Sequence, residues 1–183
     1  MENRSTGEPE MTKEQQELLE KYDAESRFRT FSNKAIAYIV SAIAIGLSLY
    51  HMYTSYFGTP PTLQHRSLHV AVILALVFLL YPAYRKASRS KLAWYDFILA
   101  LMAVSTSVYI FVDYMGIIGR GGLPNNLDLF FGATLVILVL EAARRVCGWG
   151  LPVMAVIFFL YGLFGRELSG IFRHRGYTWD ELV

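Results

Sequence analysis

Three ionisable residues lie close together near the end of an apolar segment and are the first candidates for a functional site. Glu141, Arg144 and Arg145 stand in LVLEAARRVC, between two apolar runs. Residues three and four positions apart share one face of a helix, so both arginines can pair with Glu141. Three interpretations are open: a neutralised cluster where a helix leaves the membrane, a polar contact to another membrane helix, and an ion or substrate ligand. The segment holds no second carboxylate, which argues against the third.

A second pair, His65 and His69, is four positions apart in HRSLH and could share a metal ion on one helix face. The glutamate that separates such histidines in zinc proteases is missing, and the sequence offers no third ligand nearby. A small membrane enzyme would use these histidines and perhaps Glu141, but charge topology puts them at opposite membrane faces, ~25–30 Å apart. The chain has no P-loop, nucleophile elbow or glycine-rich dinucleotide motif. We therefore expect neither an enzyme nor a metal or cofactor site.

The composition places these residues in a membrane protein. Of 183 residues, 54% are hydrophobic and 17% are charged, against about 25% charged in ordinary soluble domains. Eight of the 15 acidic residues precede Lys34, so a polar head is followed by a strongly apolar body. The net charge of +2, without a basic run that alternates with aromatic residues, argues against nucleic-acid binding. Cys147 is the only cysteine and cannot form an intramolecular disulfide.

Five apolar runs follow the head, at 35–57, 67–84, 92–112, 129–140 and 146–165. A helix needs about 20 residues to cross about 30 Å of hydrocarbon. The fourth run is shorter, so its helix can span only if Glu141 lies inside the interface and the two arginines form the helix end. We predict an all-α, polytopic integral membrane protein with about five transmembrane helices. A short cytoplasmic amphipathic helix in TKEQQELLEKYDAESRFR precedes them.

The predicted domains are a cytoplasmic head (residues 1–34), a four-helix membrane region (35–147), and a fifth helix with a short tail on the opposite side of the membrane (148–183). Lysine and arginine number twelve in the head and the loops on its side of the membrane, against five on the opposite side. The positive-inside rule then places the N-terminus in the cytoplasm and the C-terminus outside.

Residues near the helix ends and within the third run have simple structural interpretations. Trp94 suits an aromatic belt, and Asp96 is expected at the same interface. Asn126 is the predicted cap of the fourth helix. The hydroxyls of residues 105–107 are expected to bond to helix backbone or pack between helices rather than to bind a ligand.

Several segments resemble segments of one known family and occur in the same order along the chain. They are LLEKYDAESRFR, HRSLHVAVILALVFLLYPA, WYDFILAL, VYIFVDY, GLPNNLDLFFGATLVILVLEAARRVCGWGLPVMAVIFFLYGLFG and HRGYTWDELV. From about Leu18 to Val183, the chain resembles the N-terminal region of the fused permease of tripartite ATP-independent periplasmic (TRAP) transporters of the TAXI type. In that family, a small multi-helix component precedes a much larger transport component that carries the sodium and substrate sites. A periplasmic binding protein delivers the solute, which is often a carboxylate.

The resemblance implies the scaffold component of a sodium-coupled secondary transporter, a symporter of organic acid-like solutes in a bacterial or archaeal inner membrane. Its partners would be the large transport component, the periplasmic binding protein and the lipid bilayer. Sodium coupling is expected only in the large component, so no cofactor, ion or substrate ligand is assigned to this chain. Glu141, Arg144, Arg145, Asp96 and Trp94 are expected to orient and anchor the helices.

The chain ends at TWDELV, where the family permeases continue into the large component. We therefore expect a fragment, the product of a split or truncated gene, or a separately encoded subunit that does not transport alone. The alternative is a stand-alone membrane anchor or regulator whose acidic head recruits a cytoplasmic partner.

Overall fold

The computed structural model describes residue 12 and residues 28–31, 33–84 and 92–182. Within these ranges the regular elements are helical: α1 (Lys34–Phe57), α2 (Thr62–Leu80), α3 (Trp94–Val112), α4 (Tyr114–Gly119), α5 (Asn126–Cys147), α6 (Gly150–Phe164), a 3₁₀ turn (Gly170–Phe172) and α7 (Trp179–Leu182). The amphipathic helix predicted in the head lies almost wholly outside the described residues.

Four helices are long and apolar enough to cross a membrane, namely α1, α2, α3 and α5, with 24, 19, 19 and 22 residues. This confirms the predicted class, a helical multi-pass membrane protein. The α6 helix is apolar but has only 15 residues, or ~22 Å at the standard rise, which is less than the ~30 Å of a hydrocarbon core. A fifth span therefore stays a prediction.

The centre of the bundle is formed by α2, α3 and α5. The α2 and α3 helices are the most closely packed pair, and α5 contacts both. The buried core contains two large side chains of α2, three alanines and one leucine of the other two helices: Leu74, Phe78, Ala100, Ala103, Leu138 and Ala142. Lipid is as apolar as these side chains, so close packing rather than water exclusion holds membrane helices together, and alanines let the backbones approach.

The α1 helix lies at the edge of this bundle and contacts mainly α2. Of its residues only Val40 and Thr54 are buried, while large apolar side chains such as Ile45 and Tyr56 are exposed. Asn33 begins the helix, because its side chain accepts a hydrogen bond from the backbone N–H of Ala35 at 2.9 Å. Exposed apolar surface of this kind suits lipid or a further helix rather than water.

Asn125, and not Asn126, caps α5. Asn125 has an extended backbone, and its side chain accepts from the Asp128 N–H at 2.8 Å, while the Asp128 carboxylate accepts from the Asn125 N–H at 2.8 Å. This reciprocal capping box needs the carboxylate three residues after the cap. The spacing is satisfied from Asn125 and fails from Asn126, which is already the first helical residue.

A corner separates α5 from α6, and the chain after α6 folds back along that helix. Gly148 has a φ of 80°, which favours glycine, and ends α5 by donating to the Arg144 carbonyl at 3.1 Å. Pro152 lies in the first turn of α6, where its missing N–H leaves no bond unmade. Further on, the Tyr177 N–H donates to the Gly162 carbonyl at 3.0 Å.

Candidate functional site

One buried carboxylate lies at the centre of a five-residue charge network, which we name the Asp96 cluster: Arg29, Asp96, Glu141, Arg144 and Arg145. Asp96 is in the first turn of α3 and has no solvent-exposed surface. Its Oδ1 accepts from Nη1 of Arg145 at 2.6 Å, and its Oδ2 accepts from Nη2 of Arg29 at 2.5 Å. The sequence placed Asp96 at an interface, but pairing with two arginines allows complete burial. One side chain therefore joins α3 to α5 and to the segment before α1.

Glu141 completes the network within α5. It accepts from Nε and Nη2 of Arg144, both at 2.7 Å, and from Nε of Arg145 at 2.8 Å. The local pairing predicted from the spacing is confirmed. Because Arg145 also bonds to Asp96 on α3, the second interpretation, a contact between helices, holds at the same time. Three arginines and two carboxylates give the cluster a formal charge of +1.

The end of α2 explains why Arg29 lies where it does. The final carbonyls of a helix have no intrahelical partner, and Pro82 lacks the N–H that would otherwise bond to the Phe78 carbonyl. The α2 helix has no basic residue in its own last turn. Nη1 of Arg29 donates to the carbonyls of Phe78 and Leu79, at 3.4 and 3.0 Å, and its backbone N–H donates to Leu80 at 2.7 Å.

The two arginines of α5 donate hydrogen bonds to the backbone that follows α2. Nη1 of Arg145 donates to the Tyr81 carbonyl and Nη2 of Arg144 donates to the Ala83 carbonyl, both at 3.0 Å. The Arg145 guanidinium also lies 5.0 Å from the ring centroid of Phe78, within cation–π range. Cations at a helix C-terminus are stabilised by the helix dipole. The cluster therefore caps α2 with side chains from two other segments.

Trp94 lies apart from this network. It is the first residue of α3, its side chain is 75% exposed, and its ring contacts the ring of Tyr95 at a centroid distance of 6.1 Å. The aromatic partners of Arg144 are instead Trp149 and Tyr84, whose ring centroids lie 5.4 and 5.8 Å from its guanidinium. The structure thus brings together four of the five predicted residues.

The opposite end of the bundle holds the Arg120 cluster: Tyr109, Asp113, Arg120 and Asp128. Nη2 of Arg120 donates to Oδ2 of Asp113 and Oδ1 of Asp128, both at 2.7 Å, and the Tyr109 hydroxyl donates to Oδ1 of Asp128 at 2.6 Å. The hydrogen bond to Asp113, followed by that to Asp128, raises the pKa of Arg120 above its already high usual value, so Arg120 stays charged. One arginine and two carboxylates give a formal charge of −1.

A cavity of about 330 Å³ adjoins the Arg120 cluster and is lined mainly by apolar side chains, including Leu63, Phe131 and Leu135. The ring of Tyr109 stacks on Phe131 at 4.3 Å between centroids. Oδ1 of Asp128, which also lines this cavity, accepts from both Tyr109 and Arg120, so the carboxylate charge is compensated within the protein.

A histidine cluster lies between α1 and α2: Tyr50, His51, His65 and His69. The sequence paired His65 with His69, but the direct contact runs from Nε2 of His51 to Nδ1 of His69, at 2.8 Å. The ring centroids of His51 and His65 are 5.2 Å apart. In the part of the chain that the structure describes, no group of three or more His, Cys, Asp or Glu residues is arranged to hold a metal ion.

The hydroxyls of the third run form the predicted bonds. Ser105 donates to the Met102 carbonyl at 2.7 Å and Thr106 donates to the Ala103 carbonyl at 2.8 Å. The Ser107 hydroxyl lies 3.5 Å from that of Ser67 and links α3 to α2.

Sequence reasoning missed the whole Arg120 cluster and also Arg29 and His51. For Arg29 a signal exists: α2 ends before a proline with no basic residue in its last turn, so its carbonyls require donors from another segment. For His51 no local signal exists, because its partner lies 18 positions away on another helix. No protein-family model, curated protein or solved structure matches this chain.

Proposed function

We propose that this chain is the membrane scaffold, or small component, of a TRAP-type, binding-protein-dependent, sodium-coupled transporter of organic acid-like solutes. It braces a large transport component and does not transport alone. The observation that carries the proposal is the Asp96 cluster, in which three buried and two half-buried ionisable groups bond to one another and to helix ends. Groups used in this way stabilise one arrangement of helices and are not free to bind an ion or solute.

A scaffold needs a fixed shape, and the bonds of Asp96 support one. Its carboxylate bonds to two arginines, and those arginines bond to the carbonyls that follow or end α2. Removing one partner of a buried ion pair leaves an uncompensated charge, which costs about 3–5 kcal/mol. Relative movement of α2, α3 and α5 at this end is therefore strongly disfavoured.

A scaffold also needs surfaces that fit other membrane helices. The α1 helix buries only two of its side chains, and α6 buries only Pro152. The exposed side chains of α6 include Val153, Ile157 and Phe158. Such apolar faces pack equally well against lipid or against helices of a large component. We propose that part of this apolar surface contacts lipid and that the rest contacts the large component.

The distribution of arginine between the two clusters also agrees with the proposed orientation, an N-terminus in the cytoplasm. The Asp96 cluster contains three arginines, and the Arg120 cluster contains one. The sequence RKASRSK at 85–91, between the end of α2 and the start of α3, carries four basic residues. An excess of basic residues is typical of the cytoplasmic side.

The test combines purification with transport. An affinity-tagged chain is purified in mild detergent from its native membrane, and its companions are identified by mass spectrometry. We expect a large polytopic membrane protein in stoichiometric amount. Proteoliposomes with both proteins and a binding protein should take up an organic acid when a sodium gradient is applied. Uptake by the chain alone would contradict the scaffold role, and recovery of only a soluble protein would favour the anchor alternative.

A variant sharpens this test. Glu141→Ala removes the carboxylate that holds both arginines of α5, so we expect less complex to be recovered from the membrane. The substrate preference of the complex that remains should be unchanged. Thr134→Ala on the same helix is the matched control, because the Thr134 hydroxyl bonds only to the Phe130 carbonyl of its own helix. An altered substrate preference with normal assembly would count against the scaffold proposal.

A further inference from the structure

The histidine cluster joins α1 to α2 and takes no part in either charge cluster. In addition to the His51–His69 contact, the Tyr50 hydroxyl lies 3.0 Å from Nδ1 of His65. The ring centroids of His51 and His69 are 4.8 Å apart. Imidazole is the side chain that ordinarily changes charge between about pH 5 and pH 8. Because His51 contacts both of the other imidazoles, the geometry depends on the number of bound protons.

The His51–His69 contact sets a limit on that number. A hydrogen bond between two imidazole nitrogens needs one N–H and one lone pair. The contact can form when both rings are neutral in complementary tautomers, or when the two rings share one extra proton. A second extra proton places an N–H on both facing nitrogens, so neither can accept. Two charged rings at this distance also repel each other.

The Tyr50–His65 contact has no such limit. A phenol hydroxyl donates to a neutral imidazole and accepts from a charged one, so this bond survives protonation of His65. The charge of a protonated His65 nevertheless adds to the repulsion on His51, whose ring centroid is 5.2 Å away. Proton binding anywhere in the cluster therefore disfavours a further proton on the His51–His69 contact.

In the described part of the chain, no carboxylate forms an ion pair with a histidine of this cluster. Arg66 lines a groove together with residues of α2, α3 and α5. The carboxylates of the Arg120 cluster bond within that cluster. On α1, Tyr53 and Tyr56 contact the ring of Phe57.

We propose that the histidine cluster is a proton-sensitive latch that holds α1 against α2 near neutral pH and releases it in acid. The latched form binds at most one extra proton between His51 and His69, whereas the released form can bind two. Lower pH therefore favours release, by linkage. Because α1 buries only Val40 and Thr54, few other side-chain contacts oppose this movement. Thr54 bonds to the His51 carbonyl at 3.2 Å, so the latch lies beside one of these two residues.

The experiment measures the distance between α1 and α2 in the full chain, in lipid nanodiscs. Spin labels are attached through Ser48→Cys and Ile73→Cys, two exposed positions on facing helices, with Cys147→Ser to remove the exposed native thiol. Double electron–electron resonance at about pH 8 should give one short distance, and a second, longer population should grow toward about pH 5. An unchanged distance distribution would overturn the proposal.

Two variants separate the latch from a general effect of acid. His69→Gln keeps a hydrogen-bonding side chain that cannot gain a proton, so the longer population should be absent at both pH values. His51→Gln should behave alike and serves if the first variant does not fold. His174→Gln, in the tail beyond α6, should respond as the parent does. A parent-like response in a folded latch variant, or its loss in His174→Gln, would overturn the assignment.

Discussion

At the Asp96 end of the bundle, one carboxylate joins two guanidinium groups, whereas at the Arg120 end one guanidinium joins two carboxylates. The side chains of Arg29, Asp96 and Arg145 are 0%, 0% and 1% exposed. Those of Arg120, Asp113 and Asp128 are 24%, 36% and 15% exposed. Arginine–aspartate ion pairs are therefore buried at one end of the bundle and partly exposed to solvent at the other.

The two clusters also differ in the sequence distance that they bridge. Asp96 bonds to residues 67 and 49 positions away, whereas Arg120 bonds to residues 7 and 8 positions away. Short-range pairs hold a loop to the helices that it connects. Long-range pairs fix how separate helices pack. The Asp96 cluster thus contributes to the arrangement of the bundle, and the Arg120 cluster mainly to the shape of one connection.

Among the variants that compare the two clusters, Asp96→Ala should cause the largest loss of stability. It leaves Arg29 and Arg145 buried without their shared counterion, and the free energy of unfolding should fall by about 3–5 kcal/mol. Thermal unfolding of the purified chain in lipid, followed by tryptophan fluorescence, measures the loss. Asp113→Ala is the control at the other end and should have a much smaller effect. Equal losses for the two variants would remove the distinction between the clusters.

Arg29→Gln should have the next largest effect. Asp96 keeps Arg145, but the Phe78 and Leu79 carbonyls lose the guanidinium that donates to them, so the free energy of unfolding should fall by about 2 kcal/mol. The segment before α1 should also detach, which limited proteolysis with chymotrypsin would detect as faster cleavage at Phe28. Lys34→Gln, at an exposed position of the first turn of α1, is the control. An unchanged cleavage rate in Arg29→Gln would show that Arg29 does not hold this segment.

A smaller effect is expected from the helix cap next to the Arg120 cluster. Asn125→Ala removes half of the capping box and should lower the free energy of unfolding by about 1 kcal/mol. Asn126→Ala, one position later, should be nearly neutral because its side chain forms no capping bond. Thermal unfolding of the two variants in parallel measures the difference. A larger loss for Asn126→Ala would mean that the helix begins elsewhere.

The smallest effect is expected from Arg120→Gln. The ion pairs of Arg120 are partly exposed, and such pairs contribute little to stability because water and salt screen them. The variant should unfold at nearly the parent temperature, and any difference should shrink as sodium chloride is raised. The difference between Asp96→Ala and the parent should persist at the same salt concentrations. A salt-sensitive Asp96→Ala effect would indicate that the Asp96 cluster is open to solvent.

Much of the helical architecture could be predicted from the sequence, because helix formation and membrane insertion depend on residues close together in the chain. The apolar runs give the four long helices, and the spacing of Glu141, Arg144 and Arg145 gives their pairing, since helix geometry fixes which neighbours meet. The errors at this level are small. The predicted cap of α5 was Asn126, whereas the observed cap is Asn125. Only Asn125 is followed three residues later by a carboxylate, that of Asp128.

Only the tertiary structure decided which distant side chains meet. Hydrophobic periodicity indicates which face of a helix is apolar, but α2 and α6 show little preference for one apolar face, so their rotation and register are not determined locally. The burial of Asp96 follows from the register of α3 against α5 and from the path of the segment before α1. The contact of His51 with His69 follows likewise from how α1 lies along α2. The sequence by itself therefore determined the helices and their local ion pairs, while packing determined which ionisable groups are buried, because burial depends on neighbours that are remote in the chain.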